Sequence, residues 1–101
     1  MRDEYDFQKD VVKYLNKNRI YHMRTQMGAT SGYPDIIACY KGFFLGIELK
    51  REDGNGRPTE QQLKVQKDIQ DANGFSCIIS SLLELKRTLG YMDTFIVINN
   101  D

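Results

Sequence analysis

Two apolar runs separated only by Lys41-Gly42 leave the middle of this chain little choice but a β-hairpin. The first is Tyr33-Pro34-Asp35-Ile36-Ile37-Ala38-Cys39-Tyr40, and the second is Phe43-Phe44-Leu45-Gly46-Ile47-Glu48-Leu49-Lys50. Short runs of this composition predict strands, and a two-residue spacer predicts that they pair antiparallel. Runs this apolar belong in a buried sheet, where acids are out of place unless something pairs them. Asp35 and Glu48 stand at the open end of the hairpin, and a hard divalent cation such as Mg²⁺ is their natural partner.

Register turns this into a geometric condition. If Lys41-Gly42 is the whole turn, Tyr40 faces Phe43, Ala38 faces Leu45 and Asp35 faces Glu48. Opposed residues have Cβ atoms about 4.5–5.5 Å apart, where like charges repel and a cation would relieve them. Alternation sets Glu48 and Lys50 on one face, with Ile47 and Leu49 on the other. A three-residue loop without a bulge would flip Glu48 and remove the site. Lysine is not a residue that primed turns favour, so the turn is the point at which this reading is most exposed.

The rest of the chain supplies the layers. Phe7, Val11, Tyr14 and Leu15 recur at helical spacing and predict a helix over about residues 3–18, with Asp3 and Glu4 favouring its start and Lys17 and Arg19 its end. A strand over Ile20–Gln26 follows, then the loop Gly28-Ala29-Thr30-Ser31-Gly32. Beyond Lys50, a polar loop leads to Thr59, an N-cap with Gln62 as capping-box partner. Val65, Ile69 and Ala72 continue that helix to a C-cap at Asn73-Gly74. Phe75–Ser80 predicts a buried strand. Ser81-Leu82-Leu83-Glu84 predicts a second capping box, starting a short helix to about Leu89. Phe95-Ile96-Val97-Ile98 predicts a last strand. The expected order is α-β-β-β-α-β-α-β, an α/β fold around a mixed sheet.

Length and composition narrow the classes. A chain of 101 residues is one domain, 1–101, with a single core. No apolar run approaches the roughly 20 residues of a membrane span, and Met1-Arg2-Asp3-Glu4 does not open like a signal peptide. Cys39 and Cys77 are too few for a disulfide framework, which fits a reducing, cytoplasmic setting, and with one histidine they argue against a zinc site. Fourteen basic residues balance fourteen acidic ones. That balance disfavours a protein that coats nucleic acid and leaves room for a nuclease whose basic residues gather on one face.

Chemistry follows from the residue types. An acidic pair holding Mg²⁺ lowers the pKa of a bound water and polarises a phosphoryl oxygen, and Lys50 beside it would orient that water or offset developing charge. Glu4, Gln8 and Gln62 continue apolar helix stripes, as polar groups do when they point to a site at the core's edge. The competing reading makes Asp35 a post-proline turn residue and Glu48 and Lys50 a surface ion-pair ladder.

These residues together resemble the PD-(D/E)XK nuclease superfamily, and within it the stand-alone virus-type replication-repair nuclease (VRR-NUC) domain. The resemblance runs from Glu4 and Gln8 through Gly32-Tyr33-Pro34-Asp35, Ile47-Glu48-Leu49-Lys50 and Gly56-Arg57-Pro58-Thr59 to Asn73-Gly74-Phe75. It implies the α-β-β-β-α-β core of restriction-endonuclease-like folds, with metal ligands at Asp35, Glu48 and the carbonyl of Leu49. It also implies a catalytic lysine at Lys50, a helix acid at Glu4 acting through water, and a helix glutamine at Gln62. Mg²⁺ or Mn²⁺ is the implied cofactor, and branched DNA such as a Holliday junction or flap the implied substrate. The implied assembly is a homodimer, in a bacterial or phage-infected cell. The zero net charge and the last strand depart from the pattern.

Arg24, Ser31, Arg51, Arg57 and Lys64 flank the predicted site and are candidates for phosphate contact. His22 is expected to be structural. Two rivals remain: a non-catalytic DNA-binding or assembly subunit that keeps the fold, and a metal-free domain whose charges are salt bridges.

Overall fold

Lys41 and Gly42 form the whole turn. Both take positive φ, 51° and 88°, the pairing that a type I′ hairpin turn requires. Lysine is tolerated there because its ammonium reaches Asp93 at 2.6 Å and lies 5.2 Å from the Tyr40 ring centre. In this computed structural model, which describes residues 4–25, 32–50 and 57–99, the elements are α1 (Glu4–Lys17), β1 (Tyr21–Arg24), β2 (Ile36–Tyr40), β3 (Phe43–Leu49), α2 (Glu60–Asp71), β4 (Phe75–Ile79) and α3 (Leu82–Asn99).

The four strands make one mixed sheet in the order β1-β2-β3-β4. β1 and β3 flank β2 antiparallel, and β4 joins β3 parallel through α2. The observed pairs Tyr40↔Phe43, Ala38↔Leu45 and Ile36↔Ile47 are those of a two-residue turn. Ile36, Ala38, Leu45, Ile47, Leu49 and Ile79 therefore share one face. Phe7, Val11 and Leu15 of α1 and Leu85, Leu89 and Met92 of α3 close over it as the core. α2 takes the other face, burying no residue fully. Val65 and Ile69 line a space with Gly46, Ser76 and Ile78 of about 10 Å³, the size of one water.

Helix ends follow local chemistry. Thr59 caps α2 through the full capping box: its hydroxyl accepts from the Gln62 amide, and the Gln62 side chain accepts from the Thr59 amide. α1 and α2 stop by the same device. Ile20 donates to the Leu15 carbonyl and Arg19 to Asn16, while Gly74 donates to Ile69 and Asn73 to Gln70. These are Schellman pairs, and the residues at positive φ are Arg19 (57°) and Asn73 (69°). At α3 the Ser81 hydroxyl accepts from the Glu84 amide, but Glu84 reaches back to the amide of Ser80 rather than of Ser81.

Two expectations need correction. Phe95-Ile96-Val97-Ile98 is not a strand; it is the last part of α3, which runs to Asn99 instead of ending near Leu89. β-branched composition favours a strand locally, but Leu85, Leu89, Met92 and Ile96 continue one helical stripe across Gly90. Burying the first three against the sheet outweighs propensity. The order is thus α-β-β-β-α-β-α. Phe75–Ile79 is less buried than expected, with only Ile79 fully covered, because β4 is an outer strand of the sheet. Among the described residues no helix is long and apolar enough to cross a membrane.

Candidate active site at the open end of the hairpin

Continuing the β2–β3 register beyond Ile36↔Ile47 brings Asp35 opposite Glu48 and Pro34 opposite Leu49. The next rung would need an N–H that proline lacks. Asp35 takes over the other half of the rung: its Oδ2, in place of the Pro34 carbonyl, accepts the Leu49 amide at 2.8 Å. No ladder donor from Pro34 then faces the Leu49 carbonyl. On the other side, Asp35's carbonyl accepts from the Thr25 amide at 3.0 Å, and the Thr25 hydroxyl donates to the carbonyl of Pro34. The Pro34-Asp35 pair is therefore clamped between β1 and β3.

Glu48 is the one charged residue buried among the described residues, at 8% exposure. It lines the space under α2 together with Gly32, Pro34, Gly46 and Gln62. Lys50 follows on the same face. Its amide extends the β3–β4 ladder by donating to the Ile79 carbonyl at 2.8 Å, and its Nζ donates to Oε1 of Gln62 at 3.2 Å. The helix glutamine and the strand lysine thus meet at one place. Every buried side-chain nitrogen or oxygen among the described residues has a hydrogen-bond partner.

Two glycines make room for this arrangement. A Cβ on Gly46 would lie 2.8 Å from Cγ of Pro34 and 3.1 Å from Cδ1 of Ile69. Gly46 lets the proline before Asp35 sit directly on β3 beneath α2. Gly32 takes φ of 74°, and a Cβ there would meet the Gln61 side chain at 2.6 Å and its carbonyl oxygen at 2.8 Å, so side chains are refused on both counts. Sequence reasoning passed over Gly46, although a glycine inside an apolar strand signals a close approach.

The other candidates divide. Glu4 opens α1, but its side chain lies outside the described residues, as do Ser31 and Arg51. Gln8 is half-buried on α1, on the face opposite α2. The early turns of α1 do lie at this end of the sheet: Phe7 and Asp10 share a cavity with Ser80, Ser81 and Glu84. Arg24 and Arg57 are exposed. Lys64 is exposed and paired with Asp68 at 3.0 Å. His22 is fixed by its Nδ1 donating to the Ile20 carbonyl at 3.0 Å, a structural contact.

Asp35, Glu48 and the Leu49 carbonyl form an all-oxygen donor set, which suits a hard cation rather than zinc. Among the described residues no group of three or more His, Cys, Asp or Glu side chains could hold a metal ion. The two strand acids would need Glu4, the backbone carbonyl or water to complete a shell. Compared with known proteins, the chain matches no family model, no curated protein and no solved structure.

Proposed function

We propose that this protein is a metal-dependent endonuclease that hydrolyses DNA phosphodiester bonds, a stand-alone nuclease of the VRR-NUC type with the PD-(D/E)XK core. The observation that carries the reading is the buried Glu48 opposite Asp35, with the Lys50 ammonium held against Gln62 on the same side of the sheet. Two carboxylates facing each other on adjacent strands, with a lysine on the same face, are an oxygen-donor arrangement that suits a hard divalent cation.

Asp35, Glu48 and the Leu49 carbonyl would hold Mg²⁺ or Mn²⁺, with Glu4 reaching it through water. The ion supplies a more acidic water and a polarised phosphoryl oxygen when bound. Lys50 places its ammonium where negative charge grows on the attacked phosphate, and it orients the attacking water. Arg24, Arg57 and Lys64, together with Ser31 and Arg51, contact backbone phosphates on either side. Because net charge is zero, binding depends on these local cations and weakens steeply with salt. The substrate is branched DNA, a Holliday junction or flap, cut by a homodimer in the cytoplasm of a bacterial or phage-infected cell.

The test is cleavage of labelled four-way junction, flap and linear duplex with Mg²⁺, Mn²⁺ or EDTA. Lys50→Ala and Asp35→Asn are each expected to slow cleavage on the order of 10²–10³-fold without unfolding the protein. Cleavage that persists in EDTA, or in both variants, overturns the proposal. Binding without cleavage in either metal makes the protein a non-catalytic DNA-binding subunit instead.

A further inference from the structure

The side-chain oxygen of Gln62, Oε1, has two jobs. It accepts the Thr59 amide at 2.9 Å, completing the α2 capping box, and it accepts the Lys50 ammonium at 3.2 Å. An amide oxygen has two lone-pair sites, so both are used. The first bond decides what the second can be. A free glutamine could turn its NH₂ toward the lysine and repel it. Here the Thr59 N–H demands an oxygen, so Lys50 always meets an acceptor. The Thr59 hydroxyl in turn takes the Gln62 amide at 3.1 Å and sets where that side chain starts.

We propose that Thr59 is a positioning residue for Lys50, acting through Gln62; this rests on the nuclease reading given above. The N-cap of α2 and the lysine at the end of β3 become one hydrogen-bonded unit, so the helix start aims the ammonium. The neutral side chain at position 62 matters as well. Glutamate would complete a capping box equally well, but its carboxylate would pair with Lys50 and compete with phosphate for that charge.

Ser81 provides a matched control, because its hydroxyl caps α3 through the Glu84 amide at 3.2 Å, while Lys50 bonds to Gln62 and the Ile79 carbonyl. Melting temperature, single-turnover junction cleavage in Mn²⁺ and amide NMR spectra would be recorded for Thr59→Val, Thr59→Ser, Gln62→Glu, Lys50→Ala and Ser81→Ala. Thr59→Val and Ser81→Ala are expected to lower the melting temperature by similar amounts. Only Thr59→Val slows cleavage, on the order of 10- to 100-fold at a temperature where both are folded, and Thr59→Ser restores the rate. Gln62→Glu keeps the wild-type melting temperature yet slows cleavage comparably.

Equal cleavage rates in Thr59→Val and Ser81→Ala, or a wild-type rate in Gln62→Glu, overturn the assignment and leave Thr59 as a helix cap alone. If the wild-type protein cuts no DNA, the nuclease reading falls, and NMR judges the positioning separately. The Gln62 side-chain amide resonances of the metal-free protein must move in both Thr59→Val and Lys50→Ala; unmoved resonances refute the link.

Discussion

The two ends of the β2–β3 hairpin are built from opposite materials. At the turn end, Phe43, Phe75 and Phe95 meet edge to face with centroids 5.2–6.0 Å apart, and Tyr91 joins Phe75 at 6.3 Å. There Asp93 Oδ1 accepts both the Tyr40 hydroxyl at 2.8 Å and the Lys41 ammonium. At the open end, the same strands finish in a proline, two acids and a lysine, covered by a helix that buries no residue fully. The turn end closes the sheet with rings and an ion pair. The open end is held instead by hydrogen bonds from Asp35, Thr25, Lys50 and Gln62.

Glycine substitutions test this contrast most strongly. Gly46→Ala at the open end drives a methyl into Pro34 and Ile69 and is expected to cost about 1–3 kcal/mol, while displacing the residue that precedes Asp35. Gly90→Ala on the turn-end helix meets nothing within 4 Å and is expected to stabilise by about 0.5–1 kcal/mol. Chemical denaturation of both variants checks the opposite signs. A neutral Gly46→Ala would mean that α2 and Pro34 are not closely seated on β3.

A smaller effect probes the turn end alone. Hydrogen bonds from Lys41 and then Tyr40 hold the Asp93 carboxyl below its usual range. The Asp93 bond raises Lys41, and burial followed by the same bond raises Tyr40. A lowered carboxylate contributes above its unfolded pKa, about 3.9, and loses that contribution as pH falls through its lower folded value. The raised groups contribute below about 10 and lose it as pH climbs through their higher folded values. The difference in melting temperature between wild type and Asp93→Asn should therefore be greatest between those limits and shrink outside them. It should also shrink in high salt, since Lys41 and Asp93 are exposed. A difference independent of pH would remove the ion pair from the account.

The cysteines give the gentlest probe, with no change in stability. Both thiols are free; Cys39 is exposed, while burial pushes the Cys77 thiol up to about 12. At pH 8 a thiol reagent should label one site quickly and the second only as β4 and α3 open. Cys77 pairs with Ile47, one residue before Glu48, so two equally fast sites would show that β4 is less closely covered at the open end than the burial of this thiol implies.

Local rules carried much of this into the sequence. The register of Asp35 and Glu48 followed from counting two turn residues, and the Thr59–Gln62 capping box from spacing alone. The end of the last helix looks like a strand because Phe95 to Ile98 is β-branched and aromatic over a short window, whereas the stripe that decides it spans Leu85 to Ile96. The Lys50–Gln62 contact and the Asp93 clamp were not legible. They join residues 12 and 52 or 53 positions apart, and only packing of helix on sheet determines which long side chains meet. Glycine 46 stood in plain view, but its meaning depends on the proline laid across it.

The carboxylate that closes the last rung of a ladder cannot be deleted innocently. Asp35 accepts the Leu49 amide while the Pro34 carbonyl is taken by the Thr25 hydroxyl, so Asp35→Ala would fray the hairpin as well as remove an acid. Activity lost that way would mix strand separation with chemistry. Asparagine keeps an oxygen for the amide while discarding the charge, which makes it the cleaner replacement at this position.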